Sequence, residues 1–261
     1  MLAHAYGWRQ PRLPVPYRAQ LGAGGHGWAP DVEVDLRPYC PPPRNQGPLG
    51  SCTAFALTSL VEYTARSAVR DGVWTGPEVE PYAPLHLYYR TRQMEGTVGV
   101  DLGASLLDGV TALRRGGAIP ERLWPYSPDR LAVAPDGAAV AAEHRLVVVN
   151  AEQLALDEDT VVATLHAGYP VAFGITIFES FESSEAARTG RVDLPRNGEH
   201  VIGGHALLGV GVYRDGGERR VRFLNSWGPW GEGGFGSLPM SYLTNPGLCG
   251  EILCIRSVRA L

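Results

Sequence analysis

The pattern of apolar and polar positions changes character about halfway along the chain. Before residue 130, apolar side chains recur at helical spacing, and the first such run includes Phe55, Leu57 and Leu60. Ser51 stands where an N-cap belongs and Gly72 lies just past the end of the run. The pattern predicts three helices in this part of the chain, over residues 51–70, 84–93 and 104–115.

After residue 130 most apolar runs are short and rich in β-branched residues, which favours strands. We predict strands over residues 145–149, 170–178, 205–213 and 220–225, with one helix between them over 156–167. Helices followed by strands predict an α+β fold of two lobes with a groove between them. We expect an extended arm over 1–34, a mainly helical lobe over 35–135 and a mainly antiparallel β lobe over 136–261.

Composition narrows the functional classes. The 261 residues are 44% apolar and 19% charged with a net charge of −4, which gives no reason to expect nucleic acid or an anionic membrane as a partner. No run reaches the roughly 20 apolar residues that a membrane span needs. All 23 basic residues are arginine, which excludes Schiff-base chemistry and a lysine anchor for pyridoxal phosphate. We expect no cofactor, no metal and a peptide or protein substrate, with a monomer favoured.

The cysteines and the amino-terminal residues indicate the cellular compartment in which the protein is expected. Cys249 and Cys254 match no common zinc spacing, and we expect both to be buried, Cys40 to be a loop thiol and no disulfide to form. The first residues lack a basic head followed by an apolar core, so we expect no secretory signal and a cytoplasmic protein.

Cys52 stands in the most informative stretch, which reads Gln46-Gly-Pro-Leu-Gly-Ser-Cys52-Thr-Ala-Phe-Ala. A thiol at the start of a helix faces unpaired N–H groups and the positive end of the helix dipole, which both favour the thiolate. Downstream, His205 lies at the start of a predicted strand and Asn225 follows another. Cysteine, histidine and asparagine supply a nucleophile, a base and a group that orients the base.

Four segments of the chain follow one another in a recognisable order: the Cys52 stretch, Asp101-Leu-Gly-Ala with Leu123-Trp-Pro-Tyr, Gly204-His-Ala-Leu-Leu-Gly-Val-Gly-Val-Tyr, and Asn225-Ser-Trp-Gly-Pro-Trp-Gly-Glu-Gly-Gly-Phe-Gly. Together they resemble the papain family of cysteine peptidases. The resemblance implies a papain-like fold and a peptidase that forms an acyl-enzyme on Cys52. Two alternatives remain open: a processing or biosynthetic enzyme (amidase, leader-peptide cleavage or acyl transfer) with the same nucleophile, and a non-catalytic binding module.

The resemblance also assigns roles to residues around the nucleophile. Gln46 would donate to the oxyanion, and Trp227 would shield the bond between histidine and asparagine from water. Gly103 would form a floor for substrate backbone, and Gly204 an open pocket wall. We interpret His200, five residues before the predicted base, as a solvated loop residue.

The chain departs from the family pattern at three places. Thr53 stands where a tryptophan usually follows the nucleophile, and Leu49 stands where many relatives carry a disulfide cysteine. The arm is much shorter than the propeptide of secreted relatives, so we expect no conventional zymogen. We expect the arm to pack on the strand-rich lobe.

Overall fold

The structure is a computed structural model that describes residues 5–10 and 33–260. It has the α+β, two-lobed architecture that the sequence predicts. The helices are α1 (Cys52–Arg70), α2 (Pro84–Glu95), α3 (Leu106–Arg115), α4 (Gly137–Ala141), α5 (Glu158–His166), α6 (Ser184–Thr189), α7 (Trp230–Gly233) and α8 (Met240–Thr244). The strands are β1 (Val34–Asp35), β2 (Leu146–Gln153), β3 (Val171–Phe178), β4 (Val201–Asp215), β5 (Glu218–Leu224), β6 (Phe235–Pro239) and β7 (Cys249–Ala260).

The strands form one antiparallel sheet in the order β2-β7-β3-β4-β5-β6, and β1 pairs with β4. The sheet brings distant parts of the sequence side by side. In the pair of β3 with β4, His205 lies opposite Ile175, and β7 lies on the other side of β3. The predicted base is therefore held in the middle of the sheet rather than at its edge.

Helix α1 is the central helix of the molecule. Its residues from Cys52 to Ala65 are all buried, as expected for a helix surrounded by protein on every side. It packs against α2 and α3 on one side and against β4 and β7 on the other. Because other elements surround the helix on all sides, its first residue, Cys52, is held in a fixed position against the sheet.

Helix α1 matches its predicted range to within one residue, and Ser51 is its N-cap residue as predicted. The Ser51 side chain makes no capping hydrogen bond, because its hydroxyl bonds to the Tyr126 hydroxyl at 2.7 Å. Cys249 and Cys254 are both buried, as expected from their apolar surroundings. In the part of the chain that the structure describes, no helix is long and apolar enough to cross a membrane.

Candidate active site

Cys52 is the first residue of α1 and lies at the interface of the helix and the sheet. Its side chain is fully buried, and its sulfur accepts a hydrogen bond from the Ala206 N–H at 3.4 Å. Ala206 directly follows His205 on β4. The structure therefore brings the predicted nucleophile and the strand of the predicted base into one crevice, although 153 positions separate them in the sequence.

His205 is hydrogen-bonded to Asn225 as the order of the motifs predicts. Its Nε2 lies 2.9 Å from the Asn225 Oδ1, which also accepts the Ser226 N–H at 2.8 Å. A carboxamide oxygen can only accept, so the imidazole donates through Nε2. The second ring nitrogen, Nδ1, is then the one with an acceptor lone pair, which is the tautomer that a general base needs.

Aromatic side chains surround the imidazole. The indole of Trp227 stacks on it at 4.7 Å between ring centroids, and Phe181 meets its edge at 6.0 Å. Trp230 stacks on Phe181 at 5.5 Å. Trp227 thus lies where the resemblance predicts, and the hydrogen bond between His205 and Asn225 is kept in a dry environment in which it is stronger than in water.

Gln46 points its amide into the same crevice and is fully buried. Its Nε2 donates to the backbone carbonyls of Ala5 at 3.0 Å and Leu49 at 2.8 Å. Its Oε1 accepts the hydroxyl of Ser226 at 2.6 Å, and its backbone N–H donates to the Ser226 carbonyl. Ser226 fixes which end of the amide faces the crevice, a positioning role that the sequence reasoning missed although Ser226 lies inside the asparagine motif.

Residues 5–10 run through the crevice between the two lobes. The Trp8 N–H donates to the Gly204 carbonyl at 3.0 Å, and the Arg9 N–H donates to the Ala104 carbonyl at 3.1 Å. The Ala104 N–H donates to the carbonyl of Gly7 at 2.6 Å. This short segment, which we name the cleft segment, therefore pairs with one backbone edge from each lobe.

These residues pack on the strand-rich lobe, as expected of the arm, and they contact the helical lobe as well. The rest of the arm, apart from residues 33 and 34, lies outside the described residues. Gly103 and Gly204 flank the cleft segment as a floor and a wall. A Cβ on Gly103 would lie 1.9 Å from the Gly7 carbonyl oxygen, and one on Gly204 would lie 2.3 Å from the Trp8 oxygen. Only glycine allows the backbone to approach this closely.

Two different peptide units of the cleft segment reach the Gln46 amide and the Cys52 sulfur. Within the cleft segment, the carbonyl that reaches the Gln46 amide belongs to Ala5, whereas the backbone group at the Cys52 sulfur is the N–H of Gly7. Attack needs one peptide unit that places its carbon at the sulfur and its oxygen at the donors. These contacts come from different peptide units, and together they occupy both the sulfur and the oxyanion donor.

Burial of the thiol also affects the charge state of the nucleophile. Burial raises the pKa of Cys52 to about 11, although N–H groups of Ala206, Gly7 and Thr53 lower it. The thiol is therefore protonated in this closed arrangement, in contrast to the thiolate expected from the helix terminus. Loss of water outweighs the helix dipole here.

We expect Trp8→Ala to make Cys52 alkylate faster and at lower pH. Truncating a buried indole costs about 3–5 kcal/mol of stability. In this protein the truncation weakens the docking of the cleft segment in the crevice. Once the thiol is exposed, burial no longer raises its pKa. The pH at which iodoacetamide alkylation reaches half its maximal rate should therefore fall by at least about one unit. Trp74→Ala, a partly buried tryptophan far from the crevice, is the matched control; an equal shift there would refute the assignment.

Comparisons with known proteins agree with this geometry. An uncharacterized peptidase C1-like protein, L477, of Acanthamoeba polyphaga mimivirus is 29% identical over 223 residues, which cover 82% of this chain and 69% of that protein. Xylellain, a cysteine protease from Xylella fastidiosa, has a similar crystal structure, with a TM-score of 0.84 and 28% identity over 98% of this chain and 97% of that one. The bromelain protease from Ananas comosus, in complex with the E64 inhibitor, shares the fold at a TM-score of 0.64 and 18% identity, over 86% and 99% of the two chains. No protein-family model matches the chain.

The fold and these relatives define the class of this protein as cysteine proteases, which are hydrolases. The chain is similar in sequence and fold to papain-like cysteine proteases, which confirms the resemblance found in its sequence.

Proposed function

We propose that the protein hydrolyses peptide bonds through a triad of Cys52, His205 and Asn225 with an acyl-enzyme intermediate. The observation that carries this proposal is the meeting of the three residues in one crevice. The Cys52 sulfur lies against the amide that follows His205, and the imidazole bonds to Asn225 at 2.9 Å. This arrangement supplies a nucleophile, a base and the group that orients the base.

Acylation follows from this geometry once a substrate replaces the cleft segment. The Cys52 thiol gives its proton to the Nδ1 of His205, and the sulfur attacks the carbonyl carbon. The carbonyl π electrons move to the oxygen, which the Gln46 Nε2 and the Cys52 N–H stabilise. The imidazolium then protonates the leaving amine as the C–N bond breaks, which leaves a thioester on Cys52.

Deacylation uses the same groups with water as the acceptor. His205 takes a proton from water, and the hydroxide so formed attacks the thioester carbon. The C–S bond breaks, the sulfur recovers the proton from the imidazolium, and the carboxylic acid leaves. Asn225 holds the imidazole in one orientation through acylation and deacylation. Trp227 keeps water away from the hydrogen bond between Asn225 and His205.

The substrate backbone would follow the edges that the cleft segment uses. The Ala104 N–H and C=O and the Gly204 C=O bond to that segment, and all three groups become available when it leaves. Gly103 and Gly204 would then line the substrate path as floor and wall. The amidase and acyl-transferase alternatives are not favoured, since the named relatives are proteases or peptidase-like.

Labelling with E64, the epoxide inhibitor bound to bromelain, tests this proposal. We expect one equivalent of label on Cys52 in the full chain carrying Trp8→Ala, with loss of peptide hydrolysis in step with labelling. Cys52→Ala in the same background should take up no label, whereas Cys40→Ala, a thiol outside the crevice, should label normally. Equal labelling of the Cys52→Ala variant, or hydrolysis that survives full labelling of Cys52, would contradict the proposal.

A further inference from the structure

The hydroxyl of Tyr126 bonds to both ends of the loop over residues 46–51, which we name the oxyanion loop. It donates to the Gln46 carbonyl at 2.6 Å and lies 2.7 Å from the hydroxyl of Ser51. A carbonyl only accepts and a phenol has one hydrogen, so the Ser51 hydroxyl donates to the Tyr126 oxygen. One oxygen atom therefore links the first residue of the loop to its last.

The two groups proposed to stabilise the oxyanion belong to the ends of this loop. One donor is the side-chain amide of Gln46. The other is the N–H of Cys52, which shares its peptide unit with the carbonyl of Ser51. Tyr126 thus joins the two residues on which the spacing of these donors depends.

The bond between Ser51 and Tyr126 replaces a local bond that the sequence favours. Ser51 stands at the N-cap of α1, but its hydroxyl bonds to Tyr126 instead of capping the helix. A capping bond usually stabilises the start of a helix. Positions where a local preference is set aside are expected at functional sites. The middle of the loop is held separately, because the Asp101 carboxylate accepts the Gly50 N–H at 2.9 Å.

The ring of Tyr126 is held in place independently of its hydroxyl. It meets the ring of Phe55 edge to face, at 4.9 Å between centroids, and Phe55 is buried in the first turn of α1. Burial raises the pKa of the Tyr126 hydroxyl, so the group remains a proton donor at neutral pH. Tyr126→Phe should therefore remove the hydrogen bonds and leave the ring packed.

We propose that Tyr126 is a positioning residue that holds the Gln46 amide and the Cys52 N–H at the spacing that the oxyanion requires. This inference rests on the proposed peptidase function. Donors of this kind are effective when they are fixed in advance, at about 2.7–3.1 Å from the oxygen that becomes charged. Tyr126 acts through the two ends of the oxyanion loop and not on the substrate.

Tyr126→Phe should lower kcat by about tenfold to a hundredfold and leave KM within about twofold. The Gln46 carbonyl loses its donor and the Ser51 hydroxyl its acceptor, so both ends of the loop gain freedom. The measurement is full kinetics on one fluorogenic peptide, with the full chain carrying Trp8→Ala as the parent. Unchanged kcat, or a loss confined to KM, would overturn the proposal.

Tyr63→Phe is the matched control. The Tyr63 hydroxyl also donates to a backbone carbonyl, that of Gly168 at 3.1 Å, but the residue lies roughly 16 Å from Cys52 along the axis of α1. Its loss should leave kcat and KM within about twofold. A fall in kcat as large as that in Tyr126→Phe would show that the effect is not specific to the oxyanion loop.

Two reactions of Cys52 separate positioning of the donors from damage to the nucleophile. A peptide aldehyde adds the thiol across its C=O bond, which forms a C–S bond and places the oxygen at the donors, while the thiol proton passes to that oxygen. Iodoacetamide alkylates the sulfur by displacing iodide and forms no oxyanion. Tyr126→Phe should weaken aldehyde binding about tenfold and leave the alkylation rate within about twofold. Equal slowing of alkylation would contradict a positioning role.

Ser51→Ala tests the other end of the link. Because the Ser51 hydroxyl bonds to Tyr126 rather than to the helix, its removal releases this end of the loop without loss of a cap. We expect kcat to fall by about threefold or more at a nearly constant KM. A Ser51→Ala enzyme with the kcat of its parent would show that Tyr126 does not act through both ends.

Failure of this inference differs from failure of the proposed function. If the protein is no peptidase, the Trp8→Ala parent cleaves no peptide and binds no aldehyde. If only the role of Tyr126 is wrong, the parent is active and Tyr126→Phe matches it in kcat and in aldehyde affinity.

Discussion

Replacing His205 by alanine should lower kcat/KM for peptide hydrolysis by on the order of 10⁵-fold. The imidazole would take the thiol proton and return it to the leaving amine, so its loss removes the base from acylation and deacylation alike. Asn225→Ala should cost much less, about 10²-fold, because Trp227 still stacks on the ring at 4.7 Å and restricts its orientation. The measurement is kcat/KM in the Trp8→Ala background.

His200→Ala is the matched control for this loss. His200 is exposed as expected and contributes its backbone carbonyl, which accepts the N–H of Glu179 at 3.2 Å. Removing its imidazole should leave the rate within about twofold, as for other surface substitutions. The role of His205 would be refuted if His205→Ala kept more than about a hundredth of the activity in a protein with unchanged thermal unfolding.

Gln46→Ala should reduce kcat by about 10²–10³-fold while KM changes little. The amide would stabilise negative charge that appears on the oxygen only after attack, so its loss affects the transition state more than substrate binding. Ser226→Ala should produce a smaller loss of the same kind, since the Ser226 hydroxyl bond to the Gln46 Oε1 at 2.6 Å aligns the amide. Full kinetics on one peptide separate kcat from KM.

Gln93→Ala, at an exposed position on α2, is the control for Gln46. A loss confined to KM in Gln46→Ala would show that the amide binds substrate rather than the oxyanion. A Ser226→Ala enzyme as active as its parent would show that the amide is held by its other contacts, including the Leu49 carbonyl.

The local chemistry of the site was readable from the sequence because each part lies in a short motif. Cys52 begins its helix and His205 lies on its strand as predicted, since cap residues and β-branched runs act locally. The pairing of these motifs in space could be expected only from their order and resemblance. The bounds of the lobes, the oligomeric state and the cytoplasmic location stay predictions.

What the sequence could not provide depends on contacts between distant residues. Strand β4 begins at Val201, four residues before its predicted start, because Gly203 and Gly204 favour a turn when taken alone. In the fold they lie in the strand, where an added Cβ would meet Tyr6 or Trp8. Strands β6 and β7 were not among the predicted strands, since glycine, proline and charged residues interrupt their apolar positions.

The hydrogen bond between the Trp8 indole and Glu251 is the clearest case of a feature hidden from local reading. Trp8 and Glu251 are 243 positions apart, and neither belongs to a motif that suggests the other. Glu251 stands between Gly250 and Ile252, in a run that resembles an ordinary strand end. Only the packing of β7 beside the start of α3 and the cleft segment makes this carboxylate the acceptor of the Trp8 indole N–H.

The docking of the cleft segment against both the Gln46 amide and the Cys52 sulfur has a consequence for how the enzyme is controlled. A tethered strand that is held by hydrogen bonds can leave and dock again, so the block is reversible. Free peptides then compete with a ligand whose local concentration is on the order of millimolar. The docked segment therefore raises the substrate concentration needed for half-maximal rate by a constant factor and leaves the response to substrate hyperbolic.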